Sequence, residues 1–352
     1  MGVYRPSIAG FGPGNVVDQA GKVICSLKYI DNFTDNCARS SSMIEYNPHQ
    51  WRSHLLDIRG SMVRQIFARV ATCVTWAALV VASMRLGHLE FLAVPLTAHS
   101  LLGLALSLLL VVRTNSSYDR YWEGRKLWGG IVNESRNLAR LAVVHLTDAD
   151  PTGQVPPCKQ VVRLTIAFAY AAMHTLRQCN SVAPMEPRLQ QCGLSPAFTS
   201  HVPLDIACRI TSLLKQARDR GQISDIVLAD LDRNVQLLID YLGGCERIHR
   251  TPLPFAYMVH LRRAIILYTF TLPFALYEGF GWATVAVTFL VAYVFFGIEE
   301  IGVTIEDPFE KEDNDLPLEQ ICQTIDRNLS ALIGDDSEAM VNIAQPEPVS
   351  RK

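Results

Sequence analysis

Few residues in this chain are arranged for bond-making chemistry. The nine cysteines (Cys25, Cys37, Cys73, Cys158, Cys179, Cys192, Cys208, Cys245 and Cys322) are scattered. They form no C-x-x-C pair and no Cys/His spacing suited to zinc, so they read as reduced, structural thiols of a chain whose non-membrane part lies in a reducing compartment. His88, His99 and His260 do not pair at i and i+4 as a helical metal site requires, and His99 reads as a polar residue facing a helix interface or an aqueous cavity. Gly10-Phe11-Gly12-Pro13-Gly14 has no strand before it and reads as a flexible arm, not a phosphate loop. With no nucleophile beside a base and no cofactor cradle, the chain reads as not an enzyme and as requiring no cofactor. One arrangement does have a physical task. Leu101, Leu104, Ala105, Leu108 and Val112 recur at i, i+3, i+4, i+7 and i+11, with Gly103, Ala105 and Ser107 as small positions between. Such a stripe serves close helix packing in a membrane; with several copies of the helix around an axis, rings of Leu104, Leu108 and Val112 would line a hydrophobic constriction.

The elements that must hold this stripe follow from composition. The chain has 352 residues, of which 49% are hydrophobic and only 19% charged; the mean hydropathy of +0.16 is high for a soluble protein. With 32 Lys+Arg against 34 Asp+Glu there is no basic field for nucleic acid. Apolar runs predict transmembrane helices at about 67–84, 91–112, 254–277 and 280–298, because about 20 helical residues cross a bilayer. The third is interrupted by Arg262 and Arg263, which must lie near the helix start, snorkel, or face a wet interior. Short connections, around Arg85 to Glu90 and at Tyr277 to Gly279, make two hairpins. Arg39, Arg52, Arg59 and Arg64 before them, and Arg113, Arg120, Arg125, Lys126, Arg136 and Arg140 between them, place both termini and the whole middle on the cytoplasmic or stromal side. The sequons at Asn32, Asn115, Asn133 and Asn328 then stay unmodified.

The middle region, 114–249, shows apolar residues at three- and four-residue spacing over Ser116–His145, Lys159–Cys179 and Pro203–Tyr241, with Pro-, Gly- or Ser-rich breaks at 148–157 and 182–196. These are amphipathic helices. The expected fold class is an all-α membrane protein, four transmembrane helices over a cytosolic or stromal helical domain. Residues 1–46 read as an ordered arm packed on that domain, with an organelle-targeting segment as the alternative; 47–332 form the main domain and 333–352 a tail.

Four motifs, in order, resemble one family: Arg113-Thr114-Asn115 through Tyr118-Asp119-Arg120, Trp122-Glu123 and Trp128-Gly129; Cys245-Glu246-Arg247-Ile248 with Thr251-Pro252-Leu253-Pro254-Phe255; Ile305-Glu306-Asp307-Pro308-Phe309; and Ile325-Asp326-Arg327-Asn328-Leu329. Together, over about Asn47 to Leu332, they resemble the bestrophin family of pentameric anion channels, especially its bacterial and its plant and algal branches. The resemblance implies a homopentamer around one central pore, surrounded by membrane lipid. That pore would conduct chloride and similar monovalent anions, with bicarbonate crossing a thylakoid membrane as the alternative and a non-conducting scaffold as the lesser one. It implies a chloroplast thylakoid membrane, or else a bacterial inner membrane.

The resemblance also places a pore neck at Leu104, Leu108 and Val112, where the family often has an aromatic in place of Val112. Arg113, Asn115, Asp119, Arg120, Trp122 and Glu123 would then stand at the inner pore mouth, on a helix laced with ion pairs. Arg113 would lend that mouth a positive field. The acidic run Glu306, Asp307, Glu310, Glu312, Asp313 and Asp315 corresponds to the place where animal bestrophins hold calcium, with Glu312 and Asp315 as the side-chain candidates. Lys311 opposes such a site, and a solvated acidic loop closed by ion pairs to a neighbouring subunit is the other reading.

Overall fold

A backbone inside lipid must satisfy its hydrogen bonds within itself, and the described residues do so with helices alone. The computed structural model describes residues 62–87, 94–146, 155–178 and 201–335. Among these, eight helices follow in order: α1 Val63–Gly87, α2 Leu96–His145, α3 Pro157–Leu176, α4 Val202–Asp219, α5 Asp225–Arg250, α6 Phe255–Phe280, α7 Ala283–Thr304 and α8 Leu318–Leu332. No strand occurs among the described residues. The arm 1–46, and the tail beyond 335, lie outside them.

Three expected boundaries change. The second apolar run and the first amphipathic helix are one uninterrupted helix, α2, of 50 residues; at 1.5 Å per residue it is about 75 Å long. The segment Pro203–Tyr241 is two helices, α4 and α5, because Gly221 takes φ +73° and Ser224 then caps α5 by accepting from the Val227 amide. The last hairpin turns at Gly281, not at 277–279. Gly281 adopts φ +52° and donates its amide to the Tyr277 carbonyl, which stops α6 three residues later than expected and starts α7 at Ala283.

By length and composition α1, α2 and α7 can cross a membrane. The 26-residue α6 is long enough but less apolar, carrying Arg262, Arg263 and Glu278. Around α2 sit two separate apolar cores. In the apolar half, Leu106 and Leu110 pack with Ile66, Val70, Leu261, Ile265, Phe295 and Phe296. In the polar half, Trp128, Ile131 and Leu138 join Phe168, Ile206, Leu238 and Phe309. Gly130 lets α2 approach α5 there: a Cβ on it would stand 2.6 Å from the Tyr241 ring. Cys73, Cys158, Cys245 and Cys322 are buried and Cys208 is exposed. Burial pushes the Cys245 thiol up to about 12, with the carboxylates of Glu246 and Glu123 adding to it.

Candidate pore face and the charged layer beneath it

A helix packed on one side alternates buried and open residues with its own period, and α2 does this along its whole length. His99, Gly103, Leu106, Leu110, Arg113, Ser117, Gly124, Trp128, Ile131, Ser135, Leu138 and Ala142 are buried. Opposite them, Leu104 is 70% exposed, Leu108 66% and Val112 52%. The three expected neck residues therefore share the face of α2 left open by the other described residues. Below them the same face continues with Asn115, Asp119, Trp122 and Lys126, all exposed, and the Lys126 ammonium lies 5.8 Å from the Trp122 ring centre. Glu123 is exposed beside this face and pairs with Arg247 at 2.8 Å.

Arg113 departs from expectation. It is 1% exposed, so it cannot present its charge at a pore mouth. The reason is helical phase: Arg113 lies three residues after Leu110 and seven after Leu106, on the packed side. Its Nη1 donates to the Glu299 carboxylate at 2.9 Å and to the Glu299 carbonyl at 3.1 Å. The same carboxylate oxygen accepts from Arg262 Nε at 2.9 Å, and its other oxygen lies 3.3 Å from Arg69 Nη1. Arg69 also holds Glu300 at 2.7 Å, and Glu306 approaches Arg113 at 3.9 Å. Three arginines and three glutamates, from α1, α2, α6, α7 and the loop after it, thus form one neutral layer between the two cores. Arg262, which interrupts the third apolar run, finds its counter-charge here.

Glu299 and Glu300 were not singled out by sequence reasoning. The available signal was electrostatic: three arginines set in or beside apolar runs require counter-charges, and an adjacent acid pair closes the last run.

Arg120, half-buried, fastens the layer to the domain below. Its Nη2 donates to the Ile248 carbonyl at 2.7 Å, its Nη1 to Thr251 and its Nε to Glu306 at 3.0 Å, so a cation closes the carboxyl end of α5. Glu306 in turn accepts from the Leu253 amide at 2.9 Å, and Asp307 pairs with His249 at 2.7 Å. Glu246 pairs with His201 at 2.8 Å. Three of the four sequence motifs therefore converge on one junction; the fourth, on α8, packs in the lower core through Ile325 and Leu329.

Glu312 and Asp315 do not present a joint ligand set. Asp315 is 4% exposed, and its Oδ2 accepts from the Glu312 amide at 2.7 Å. Burial lifts the Asp315 carboxyl to about 7; the Glu312 amide pulls it down, and the Glu312, Glu310 and Asp307 carboxylates push it further up. A cavity of about 240 Å³ is lined by Glu312, Glu310, Glu306, Asp307, Arg120 and His249, but not by Asp315. Among the described residues no group of three His, Cys, Asp or Glu side chains is placed to hold a metal ion. His99 faces a helix interface, its ring stacked on Tyr268 at 4.2 Å.

Comparison with known proteins agrees with this geometry. A family model described as Bacterial/Fungal Bestrophin protein matches residues 42–331. The chain is 39% identical to a voltage-dependent anion channel-forming protein of Synechocystis sp. over 82% of its own length and 93% of the relative's. It is 37% identical to the protein of that name from Nostoc sp., over 80% and 91%. A bacterial bestrophin homologue from Klebsiella pneumoniae superposes with a TM-score of 0.68 at 30% identity, covering 77% of this chain and 99% of that one. These relatives are bacterial, and the thylakoid expectation draws no support from them. On the matched motifs, the matched length and the shared helical architecture, the chain belongs to the bestrophin family.

Proposed function

We propose that this chain forms an anion channel: a homopentamer in which the open face of α2 surrounds a central pore, with Leu104, Leu108 and Val112 as its neck. The observation that carries the reading is the continuity of that face. Lipid explains exposed leucines inside a membrane, but not a face that stays unpacked at the same helical angle from Leu101 to Lys126, across the change from apolar to polar. A lumen on the fivefold axis explains both halves. The relatives named as anion channel-forming proteins support it.

Four helices cross the membrane in this reading. α6 is included because Arg262 is neutralised by Glu299, and both termini lie on the cytoplasmic side of a bacterial inner membrane. An aliphatic neck offers no ligand to replace a hydration shell. Chloride and larger, weakly hydrated monovalent anions pass more readily than strongly hydrated ones. Purified protein in planar bilayers tests this. Currents should reverse near the chloride equilibrium potential, and replacing Leu104, Leu108 and Val112 together by Ala should raise open probability and flatten discrimination among iodide, chloride and bicarbonate. Intact pentamers that stay silent under every anion gradient would refute the channel; recordings unchanged by the triple substitution would remove the neck from α2.

A further inference from the structure

We propose that Arg136 and Arg140 line the cytosolic vestibule of the pore and set conductance by concentrating anions below the neck. The inference rests on the channel reading above and extends it to two residues that no motif singles out. Eighteen residues make five full turns at 3.6 per turn, so Leu104, Trp122 and Arg140 stand at one helical angle, and Arg136 lies one turn before Arg140. Both arginines are exposed, while Ser135, Leu138, Ala139 and Ala142 on the opposite side are buried. Neither makes an ion pair or hydrogen bond with another described residue, unlike Arg69, Arg113, Arg120, Arg177, Arg218 and Arg262, which all have acceptors. Cations free of partners, on the face that carries the neck, keep their field for mobile ions.

From Val112 the two positions lie about 36 Å and about 42 Å along the axis, so they cannot touch an ion in the neck. They act on the ion supply. Five copies place ten guanidinium groups around the inner mouth. Nearer the neck the exposed charged groups on this face are Asp119, Arg125 and Lys126, of which Asp119 offsets one cation, while Glu123 beside it is paired with Arg247. A field of this kind raises local anion concentration, and it is screened over about 30 Å at 0.01 M salt but over about 3 Å at 1 M.

The test is single-channel conductance of the full chain at both salt concentrations, in wild type, in the double variant Arg136→Gln/Arg140→Gln, and in Arg136→Lys/Arg140→Lys. The Gln pair should lose about two- to threefold of wild-type conductance at about 0.01 M salt and almost none at about 1 M, and the Lys pair should retain it at both. A deficit of equal size at both concentrations, a deficit shared by the Lys pair, or no deficit at low salt would overturn the assignment, because each separates the effect from charge in the ion path. These outcomes leave the channel reading standing as long as intact wild-type pentamers conduct anions. Intact wild-type pentamers silent under every anion gradient would overturn both.

Discussion

Arg113 and Glu299, 186 positions apart in sequence, face each other at 2.9 Å with side chains 0% and 2% exposed, one residue below the last expected ring of the neck. Glu299 is the centre of this contact, since it also takes Arg262 and Arg69. Removing its side chain leaves a fully buried guanidinium with only the Glu299 carbonyl at 3.1 Å and the more distant Glu306 carboxylate at 3.9 Å, whereas removing Arg113 leaves Glu299 still neutralised from two sides. Glu299→Ala should therefore cost about 3–5 kcal/mol, and Arg113→Ala distinctly less. Apparent melting temperatures in detergent give the order; a larger loss for Arg113→Ala would contradict the hub. Reversal potentials should not move toward the cation value in Arg113→Ala, because the buried charge does not face the ion path.

Val112 is the residue at which the proposed neck departs from the aromatic that the family resemblance leads one to expect. Val112→Phe adds a ring to an open position, 52% exposed. The fold should tolerate it while the constriction narrows. Conductance for iodide should fall more than for chloride. Equal reduction for both anions, or none, would place the limiting diameter elsewhere.

Stability should depend on pH through Asp315. Its carboxyl rises from 3.8 to about 7 on folding, so the folded chain holds that proton where the unfolded chain has released it. This group's contribution is intact below about 3.8, declines as pH climbs, and is fully lost above about 7. Asp315→Asn keeps an oxygen for the Glu312 amide and abolishes the charge. It should raise the apparent melting temperature at pH 8 by about 3–6 °C and change nothing at pH 4. A variant less stable than wild type at pH 8 would mean that the carboxylate is needed ionised.

Opening should not require micromolar calcium. Asp315 is turned into its own loop, away from the cavity that Glu312 lines, and Lys311 stands in the same run. Currents should persist in chelator, and Glu312→Ala and Asp315→Ala should leave any calcium response flat. Currents abolished by chelator and restored by calcium, with both substitutions breaking that response, would establish a calcium site.

What the sequence made legible was local. The stripe Leu101–Val112 has the period of one helix face, and the same face is open in the structure. Arg113 was misread although its phase was available, because a charge following an apolar run suggests a membrane boundary, and boundaries say nothing about direction. The layer it joins was harder to foresee. Its partners lie 186, 230 and 37 positions from Glu299, and only the packing of four helices determines which acid answers which arginine. Hairpin ends depended on single backbone angles: Gly281 and Gly279 look alike in sequence, and the left-handed conformation at Gly281 decides the turn. Glu312 and Asp315 were close in sequence and are close in space, but burial of one carboxylate separates their roles.

The two apolar cores share one rod. Between Leu96 and His145 α2 has no proline and no break, and an unbroken helix is stiff against twisting as well as stretching. Torque on the lower bundle would therefore reach Leu104, Leu108 and Val112 as rotation, with Gly129 and Gly130, the adjacent glycine pair on the rod, as its most compliant point. Leu104, Leu108 and Val112 thus turn together with Arg113 on the opposite side of the same helix, which in the proposed pentamer would gear the neck's radius to the charged layer.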